Sequence, residues 1–523
     1  MSHKTDTNTQ ARVSVVEASL PDTQPEFDIG PLKDEKANGG ESDSIQYHTI
    51  WDDGVEHPSM YNKGGHHPVN LGDVLNGRYE VVHKLGIGGF SLVWLCHDTK
   101  TNKWRAIKIL DSWRSSNSKE EKIYQHLRQV SSPEELEDSH LAMPLEEFWI
   151  DGPNGRHYCV VLPFLGPTAE HWRDDFIKLE TALNNRTQYT NKTRNGIHQA
   201  CADVVRAVHH LHKHGVCHGD IKPKNVLMKL EGVDLLSKAE MVKLLGEPYT
   251  YEVETRSGKP PAPHAPDNII VPLHPLDEFW KEFITSSAVL TDFGESYMVS
   301  EPTDFTVLTR AQAPPEALWG GTFQAGPHSD IWSLAVTLNQ LVTNQIMFDS
   351  SQEWLHVHDM ELFLGGLPRP FRTVYIEQCN AMARRPPLDP VILKEQMAEA
   401  IDEEKWERLP VQSGYEKLIK EREQLSKHIG YADPFESGVG NPDVYWAPEN
   451  YEQLMRGGRT KMVGILLPRE DVVGVADLLR KMVRYDPTKR ITIAEVAHHA
   501  WIKNLPRLSS RAPLRVDEEG YEE

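Results

Sequence analysis

The sequence HGDIKPKN at residues 218–225 decides how the rest of the chain is interpreted. Apolar residues at helical spacing between residues 204 and 211 predict a buried helix that leads into it. The loop itself carries a carboxylate at Asp220, an ammonium group at Lys222 and an amide at Asn225. Three chemically different polar groups therefore stand within one short loop.

These three groups suit phosphoryl transfer to a hydroxyl. A carboxylate can accept the proton of the attacking hydroxyl, a lysine can balance charge on the moving phosphoryl group, and an asparagine can hold Mg²⁺. A loop of this composition is also common as a solvated turn. The interpretation therefore depends on further motifs at the right places.

The composition is that of a globular, acidic protein. The chain has 523 residues, of which 39% are hydrophobic, so it can bury a sizeable core. Its net charge is −21, and residues 1–75 contribute −8 through 13 acidic and 5 basic side chains. Because affinity for nucleic acid depends on Lys and Arg neutralising phosphates, we expect no direct nucleic-acid ligand. A basic protein partner fits this charge better.

The cysteines and the apolar runs indicate the compartment. The five cysteines are widely spaced and form no CxxC pair, which argues against a disulfide framework and against a structural zinc site. No apolar run approaches the roughly 20 residues that span a bilayer, and the N-terminus lacks the apolar core of a secretory signal. We therefore expect a soluble, intracellular protein without membrane contact.

A glycine-rich hairpin opens the globular part. Residues 79–85 and 92–97 predict strands around GIGGFS at residues 86–91, whose glycines let backbone N–H groups approach a polyphosphate. An ordinary glycine turn is the simpler interpretation of this segment alone. Lys108, on the next predicted strand, stands where a nucleotide-binding lysine is expected. Together the two features favour a nucleotide site.

A helix is predicted at residues 119–130, where three apolar residues share one face. Glu120 lies near that face and is the expected ionic partner of Lys108. Glu121 is the alternative partner, and a solvated glutamate at a helix start is the third interpretation.

The run Asp-Phe-Gly begins at Asp292, with 66 residues between Asn225 and it. Residues 285–290 predict a strand that delivers Asp292 to the metal ion of a nucleotide. The Pro-rich segment 258–266 lies in between and cannot form regular structure. Asp-Phe-Gly is common by chance, but it is not common after an Asp-x-Lys-x-x-Asn loop.

Three later motifs complete the series. They are PPE at residues 314–316, SDIWSLA at 329–335 and DPTKRIT at 486–492.

In their order and placement these motifs resemble the protein kinase fold, an α+β, bilobal architecture with a small β-rich N-lobe and a larger α-helical C-lobe. This resemblance implies that Glu316 and Arg490 form a buried ion pair with a structural role. The stretches GGHHPVNLGDVLNGRY at residues 64–79 and KLGIGGFSLVW at 84–94 are more specific. With the insertion after the catalytic loop, they resemble the SR-protein kinase family, in particular its fungal members.

The resemblance implies the domain boundaries. Residues 1–60 form a disordered acidic tail, because they show no sustained apolar period that could offset the entropy of ordering. A kinase domain follows at 61–505, with an N-lobe at about 61–164 and a C-lobe at about 165–505. Insertions are expected at about 229–285 and 374–467, and a polar tail at 506–523. The middle of the second insertion, residues 390–428, is charged and predicts a solvated helix.

The resemblance also implies a site for ATP and Mg²⁺. Asp220, Lys222 and Asn225 would be catalytic, and Asn225 and Asp292 would hold the metal. Leu162 would be the gatekeeper, while the Pro163 carbonyl and the Leu165 amide would meet the adenine edge. The residues implied to bind ATP are Leu85, Gly86, Ile87, Gly88, Gly89, Phe90, Ser91, Leu92, Val93, Ala106, Lys108, Glu120, Leu162, Pro163, Leu165 and Leu227.

The implied activity is transfer of the γ-phosphate of ATP to serine in basic, Arg/Ser-rich proteins such as splicing factors. Lys222 favours serine or threonine over tyrosine as the acceptor. We expect a monomer that acts in the cytoplasm and the nucleus.

Two rival functions are weighed against this one. A pseudokinase, acting as a binding or scaffold module, is suggested by Ser91, Gly219, Ala335 and the first proline of the PPE motif, which replace the usual residues. The presence of every catalytic and metal-binding side chain argues against it. A small-molecule kinase is disfavoured by the PPE motif, Asp330 and Arg490, which belong to peptide-binding kinases.

Gly219 carries a prediction about regulation. Kinases that are switched on by activation-loop phosphorylation have an Arg here, which pairs with the phosphate. Glycine has no side chain for this, and the segment from Gly294 to Pro314 is short. We therefore expect constitutive activity, although Thr303, Thr306 and Thr309 could accept a phosphate.

Overall fold

The computed structural model describes most of both lobes. The described residues are 45–50, 54–173, 191–273, 280–301, 309–319, 324–343, 346–348, 353–364, 366–369, 371–375, 444–448, 462–466 and 469–503. They form a β-rich N-terminal lobe and a helical C-terminal lobe. None of the helices within these residues is long and apolar enough to cross a membrane.

The N-terminal lobe is built on one six-stranded antiparallel sheet. Its strands are β1 (Val74–Leu75), β2 (Tyr79–Gly88), β3 (Ser91–Asp98), β4 (Lys103–Leu110), β5 (Glu146–Gly152) and β6 (Gly155–Pro163), in the order β1-β2-β3-β4-β6-β5. Side chains alternate across the sheet, so Ile107 and Ile109 enter the core of this lobe while Ala106 and Lys108 face the opposite side. This alternation aims Lys108 at the space between the lobes.

Three helices follow β4: α1 (Ser112–Ser115), α2 (Lys119–Val130) and α3 (Pro133–Glu137). The predicted helix at 119–130 is therefore confirmed. Helix α2 begins where the Ser118 side chain accepts a hydrogen bond from the Glu121 backbone N–H, which satisfies one of the unpaired donors of the first turn. Its buried face carries Ile123, Tyr124 and Leu127, together with Glu120.

The C-terminal lobe surrounds the long helix α4 (Asn191–Lys213). Further helices of this lobe include α7 (Pro315–Trp319), α8 (Pro327–Thr343), α9 (Glu353–Leu364), α10 (Arg469–Met482), α11 (Ile493–His498) and α12 (Ala500–Lys503). Val204, Val208 and Leu211 of α4 share one buried cluster with Trp332 and Leu338 of α8. The apolar spacing before the catalytic loop thus belongs to the core that supports that loop.

The first predicted insertion packs on the N-terminal lobe. It contains α5 (Lys238–Leu245), the antiparallel pair β9 (Thr250–Glu252) and β10 (Asn268–Ile270), and α6 (Trp280–Phe283). Ile269 and Ile270 lie in the same buried cluster as Val81 and Trp94 of the sheet. The Trp104 indole N–H donates to the Leu236 carbonyl at 3.0 Å. Residues 258–266 contain no helix or strand, as their prolines predict.

The start of the chain differs from the prediction. Tyr47 is buried and forms an isolated β-bridge with Thr255 of the insertion. Glu56 is also buried, and its carboxylate lies 2.5 Å from Lys84 Nζ. Residues 45–50 and 54–60 therefore pack on the domain, and the predicted tail boundary at residue 60 is too late. Local composition could not reveal partners so distant in sequence.

The second predicted insertion is described in part. Strands β13 (Val444–Pro448) and β14 (Met462–Leu466) pair antiparallel. The charged segment 390–428, for which a solvated helix was predicted, lies outside the described residues, as does the C-terminal tail at 506–523.

Candidate active site

Two short strand pairs hold the loop 218–225. Strand β7 (Val216–Cys217) enters the loop and pairs with β12 (Tyr297–Met298). Strand β8 (Val226–Leu230) leaves it and pairs with β11 (Ile284–Leu290), which confirms the predicted strand before Asp292. Because β12 follows Asp292 and β11 precedes it, both ends of the loop are attached to the segment that carries this aspartate.

Asp330 fixes the first turn of the loop. Its carboxylate accepts from the backbone N–H of His218 at 2.8 Å and of Gly219 at 3.0 Å, and lies 2.9 Å from His212 Nε2. Burial would raise the pKa of Asp330, but the hydrogen bond and charge of His212 and the Gly219 amide outweigh this and lower it. A buried carboxylate thus holds the backbone just before Asp220.

The three polar groups of the loop converge on one another. Lys222 Nζ lies 2.7 Å from Asp220 Oδ2. The Asn225 side-chain N–H donates to the Asp220 carbonyl at 2.8 Å and to Asp220 Oδ2 at 3.2 Å. The structure therefore brings the three predicted catalytic side chains together, with the Asp220 carboxylate at the centre.

A second charged cluster lies beside the loop, where Lys108 of β4 and Glu120 of α2 meet Asp292. Lys108 Nζ donates to the Glu120 carboxylate at 2.9 and 3.0 Å and to Asp292 Oδ1 at 2.8 Å. The predicted Lys108–Glu120 ion pair is present. The alternative, Glu121, accepts instead from the Gln125 side chain at 3.3 Å. Glu120 is further held by the Tyr124 hydroxyl, which donates to it at 3.0 Å.

The charges of this cluster stabilise one another. Burial alone would lower the pKa of Lys108, but the carboxylates of Asp292 and Glu120 raise it above its usual value. In return the Lys108 ammonium holds the pKa of Asp292 well below its usual range. Both groups are therefore ionised at neutral pH, as a lysine that binds phosphate and a carboxylate that binds metal need to be.

Phe293 fixes the direction of Asp292. Its fully buried ring lies 5.3 Å from the Tyr124 ring of α2 and 5.3 Å from the His218 ring of the loop. Asp292 itself has a left-handed backbone, with φ of 66°. Such a conformation is uncommon for a residue other than glycine and persists only where the surroundings enforce it.

The predicted adenine contacts surround the connection between the lobes. Ala106 and Leu162 are direct neighbours on β4 and β6, and Pro163 ends β6. After Leu165 the chain pairs with β8, because the Gly166 N–H donates to the Met228 carbonyl at 2.8 Å and Thr168 bridges to Leu227. These residues therefore line one end of the cleft.

The strands of the glycine hairpin are longer than predicted. Their side chains point alternately to the two faces of the sheet. Strand β2 runs to Gly88 and β3 starts at Ser91, so only Gly89 and Phe90 form the turn. Val93 is the direct neighbour of Lys108 and shares its face. Leu92 instead enters the core of the N-terminal lobe, so its side chain points away from the face that carries Lys108. Consecutive side chains of a strand point to opposite faces of the sheet, so Leu92 and Val93 lie on different faces.

The remaining hairpin residues lie along the two strands. Leu85 packs against the buried cluster that contains Phe164, beside the lobe connection. Ile87 and Phe90 are 38% and 43% exposed, as expected near the tip of a hairpin that projects over a cleft. Gly86, Gly88, Gly89 and Ser91 bring only backbone or a small hydroxyl to this surface.

The predicted Glu316–Arg490 ion pair is present and fully buried. The guanidinium donates to both carboxylate oxygens, at 2.6 and 2.7 Å. It also donates to the His328 carbonyl at 2.9 Å and lies 5.0 Å from the Trp332 ring centroid. The pair joins α7 to the segment before α11 and does not touch the cleft.

Two charged residues near the cleft were missed from the sequence. Arg114 of α1 donates to Glu295, three residues after Asp292, at 3.2 Å. The glutamate that follows Asp-Phe-Gly was visible in the sequence, but its partner lies 181 positions earlier. No local spacing could have paired them.

The donor set fits a hard divalent cation and a nucleotide. Asp292 offers a carboxylate whose side chain is 46% exposed, and Asn225 offers an amide oxygen because its nitrogen is engaged with Asp220. Carboxylate and amide oxygens are the ligands that Mg²⁺ prefers. Among the described residues, Asn225 and Asp292 would hold the ion and Lys108 would meet the phosphates.

The sequence is similar to those of several known protein kinases. The chain is 31% identical over 246 residues to serine/threonine-protein kinase spk-1 of Caenorhabditis briggsae, covering 45% of this chain and 20% of the relative. It is 35% identical over 181 residues to human SRSF protein kinase 3, covering 34% and 30%. It is 29% identical over 345 residues to serine/threonine-protein kinase SRPK of Physarum polycephalum, covering 62% and 75%. The resemblance to SR-protein kinases is thereby confirmed.

The aligned segment spans less than a third of the length of the nematode and human relatives. A model of the protein kinase domain covers far more of this chain, at residues 79–245 and 267–502. These two segments contain the glycine hairpin, the catalytic loop, Asp292 and the Glu316–Arg490 pair. The chain therefore belongs to the protein kinase domain family.

Proposed function

We propose that this protein is a Mg·ATP-dependent serine/threonine protein kinase whose substrates are basic, Arg/Ser-rich proteins such as splicing factors. One observation carries the proposal. The cluster of Lys108, Glu120 and Asp292 adjoins the cluster of Asp220, Lys222 and Asn225, because the strands on either side of Asp292 pair with both ends of the catalytic loop. This arrangement has every group that phosphoryl transfer from ATP requires.

Each side chain has a distinct part in the reaction. The Asp220 carboxylate accepts the hydroxyl proton of the substrate, and Lys222, 2.7 Å away, balances charge on the transferred group. Lys108 holds the phosphates of ATP, and Glu120 fixes the Lys108 ammonium in place. When bound at Asn225 and Asp292, Mg²⁺ would neutralise charge on the phosphates.

The choice of substrate is supported by charge and by similarity. A net charge of −21 favours encounter with a basic protein. The human relative is named as a kinase of SRSF proteins. We propose that this chain shares the preference for basic serine-containing segments, acts as a monomer, and works in the cytoplasm and the nucleus.

Phosphate transfer from ATP to an Arg-Ser repeat peptide tests both parts. A neutral serine peptide and myelin-type basic protein are compared at equal concentration. We expect the Arg-Ser peptide to be the best substrate. Equal rates on all three would contradict the substrate preference but leave kinase activity intact.

Substitution of Asp220 tests the chemistry. Asp220→Ala should lower turnover by about 10²- to 10⁴-fold, because general-base catalysis contributes that much, and should leave ATP binding intact. Asp151→Ala is the matched control, since the Asp151 side chain is 89% exposed and lies 3.8 Å from Arg156. Wild-type turnover in Asp220→Ala would overturn the proposal. ATP binding without turnover in the wild type would favour the pseudokinase.

A further inference from the structure

Arg114 lies against the tip of the glycine hairpin. Its guanidinium carbon is 3.9 Å from the centroid of the Phe90 ring. The Phe90 carbonyl accepts from the Asp111 backbone N–H at 2.9 Å, and the Asp111 side chain accepts from the Arg114 backbone N–H at 2.6 Å. The hairpin tip and helix α1 are thus joined by backbone and by side chain.

The same arginine reaches the segment after Asp292. Arg114 Nη2 donates to Glu295 Oε1 at 3.2 Å, and Lys119 Nζ lies 3.6 Å from Glu295 Oε2. Lys119 is the first residue of α2, the helix that presents Glu120 to Lys108. One carboxylate therefore contacts cations from two elements of the N-terminal lobe.

The backbone of Glu295 contacts the catalytic loop. A Cβ added to Gly219 would overlap the Glu295 carbonyl oxygen, so the two backbones are in direct contact one residue before Asp220. The neighbouring Ser296 hydroxyl donates to the His218 carbonyl at 2.8 Å. Glu295 thus joins the loop that carries the base to the hairpin that covers the nucleotide.

We propose that Arg114 and Glu295 are positioning residues, which hold the glycine hairpin and α2 in register with the catalytic loop during phosphate transfer. The proposal rests on the proposed kinase function. Neither side chain touches the reacting atoms. They act through Phe90, through Lys119 and through the backbone beside Gly219.

The Arg114–Glu295 ion pair is partly exposed to solvent, and this distinguishes a positioning role from a purely structural one. The side chains of Arg114 and Glu295 are 25% and 15% exposed. An ion pair in contact with solvent contributes little to the stability of a fold. Misplacing groups around a reaction centre, by contrast, lowers its rate strongly. Loss of the pair should therefore affect turnover more than melting temperature.

The experiment is a double-mutant cycle with Arg114→Gln, Glu295→Gln and the double variant. We expect each single variant to lower kcat about tenfold, with the KM for protein substrate unchanged and the Tm within about 2 °C of wild type. The double variant should be no slower than the slower single variant, because the two residues act as one unit. Arg114→Lys, which keeps the charge, should recover part of the rate.

Arg128→Gln is the matched control. Arg128 lies at the other end of α2 and pairs with Glu147 at 2.7 Å, away from the hairpin tip and from Glu295. It should keep wild-type kcat. Additive losses of about a hundredfold in the Arg114/Glu295 double variant, wild-type kcat in both single variants, or losses that parallel a fall in Tm would each overturn the proposal.

A measurement of nucleotide binding tests the positioning role separately from the proposed kinase function. The affinity for Mg·ATP is measured by calorimetry in the same variants. Both single variants should bind about fivefold more weakly, because the hairpin is no longer held over the nucleotide. An inactive wild-type protein would refute kinase function. Unchanged nucleotide affinity in both variants of an inactive protein would refute the positioning role as well.

Discussion

Gly219 has a left-handed backbone, with φ of +80°, and its missing side chain leaves room for the Glu295 carbonyl. In the sequence, Gly219 shows only that this chain lacks the arginine that many kinases have at this position. The structure adds that no side chain can occupy the position without moving the segment after Asp292. Glycine at this position is therefore required by packing and is more than the absence of an arginine.

The first prediction compares two left-handed glycines. Gly215 has φ of +70° with nothing within 4 Å of an added Cβ, so Gly215→Ala should cost only the left-handed penalty of about 1–2 kcal/mol. Gly219→Ala should lower the free energy of unfolding by about 3 kcal/mol, because the overlap with Glu295 is added. Urea denaturation measures both values. If both variants lost the same free energy of unfolding, the segment at Glu295 would move aside at no cost.

The second prediction concerns the partner of Lys108. Lys108→Met should lower kcat by about a hundredfold, since the phosphates lose their cation. Glu120→Gln should lower it about tenfold because the ammonium loses its anchor at 2.9 Å. Glu121→Gln is the control and should be near neutral. A loss in Glu121→Gln without one in Glu120→Gln would reverse the assignment.

At the scale of elements, the insertion after the catalytic loop completes the N-terminal lobe. Strands β9 and β10 bring Ile269 and Ile270 into the cluster that contains Trp94. The Leu273 N–H donates to the Lys84 carbonyl at 2.9 Å, next to the ion pair with Glu56. The insertion and the N-terminal segment therefore cover the sheet together, and removing either should expose apolar surface.

The third prediction tests this packing. Ile269 is fully buried, so Ile269→Ala should lower the free energy of unfolding by about 2–5 kcal/mol. Val242 belongs to the same insertion but is 40% exposed, and Val242→Ala should change stability by less than about 0.5 kcal/mol. Both variants are measured by thermal and urea unfolding. If Ile269→Ala and Val242→Ala lowered stability equally, the insertion would not share the core of the lobe.

What could be predicted from sequence follows the range of each interaction. Local spacing was enough to place Asp220, Lys222 and Asn225 on one loop and Glu120 on the face of α2 toward Lys108. The clamp of Asp330 on the loop backbone joins residues that are 111 and 112 positions apart. No period or turn signal encodes such a pair. The core-facing side chain of Leu92 could not be predicted either, because a contiguous motif does not say which of two strand faces a residue occupies.

At the scale of the whole molecule, buried histidines make stability depend on pH. Burial lowers the pKa of His66 and His67 from 6.5 to about 4. Among the described residues, neither ring nitrogen of His66 has a hydrogen-bond partner. These two histidines therefore become protonated near pH 6.5 in the unfolded chain but only near pH 4 in the folded chain. Stability is fully present above pH 6.5 and falls as the pH drops toward 4.

The fourth prediction gives this effect a size. Between pH 7 and pH 5, His66 alone should remove about 2 kcal/mol from the free energy of unfolding. The variant His66→Phe cannot titrate, so its stability should fall by that much less over the same range. Urea unfolding at the two pH values provides the comparison. The same pH dependence in the variant and the wild type would assign the acid sensitivity to other groups.

The last prediction concerns activation of the whole enzyme. Gly219 offers no cation to an activation-loop phosphate, and the segment after Asp292 is already held by Arg114 and Lys119 through Glu295. Of the three candidate threonines, Thr309 is exposed, whereas Thr303 and Thr306 lie outside the described residues. Protein made in bacteria, treated with phosphatase and checked by mass spectrometry, should therefore keep its turnover. A loss of about a hundredfold, roughly 2.7 kcal/mol of barrier, after dephosphorylation or after changing the three threonines to alanine would show that a phosphate organises the segment despite Gly219.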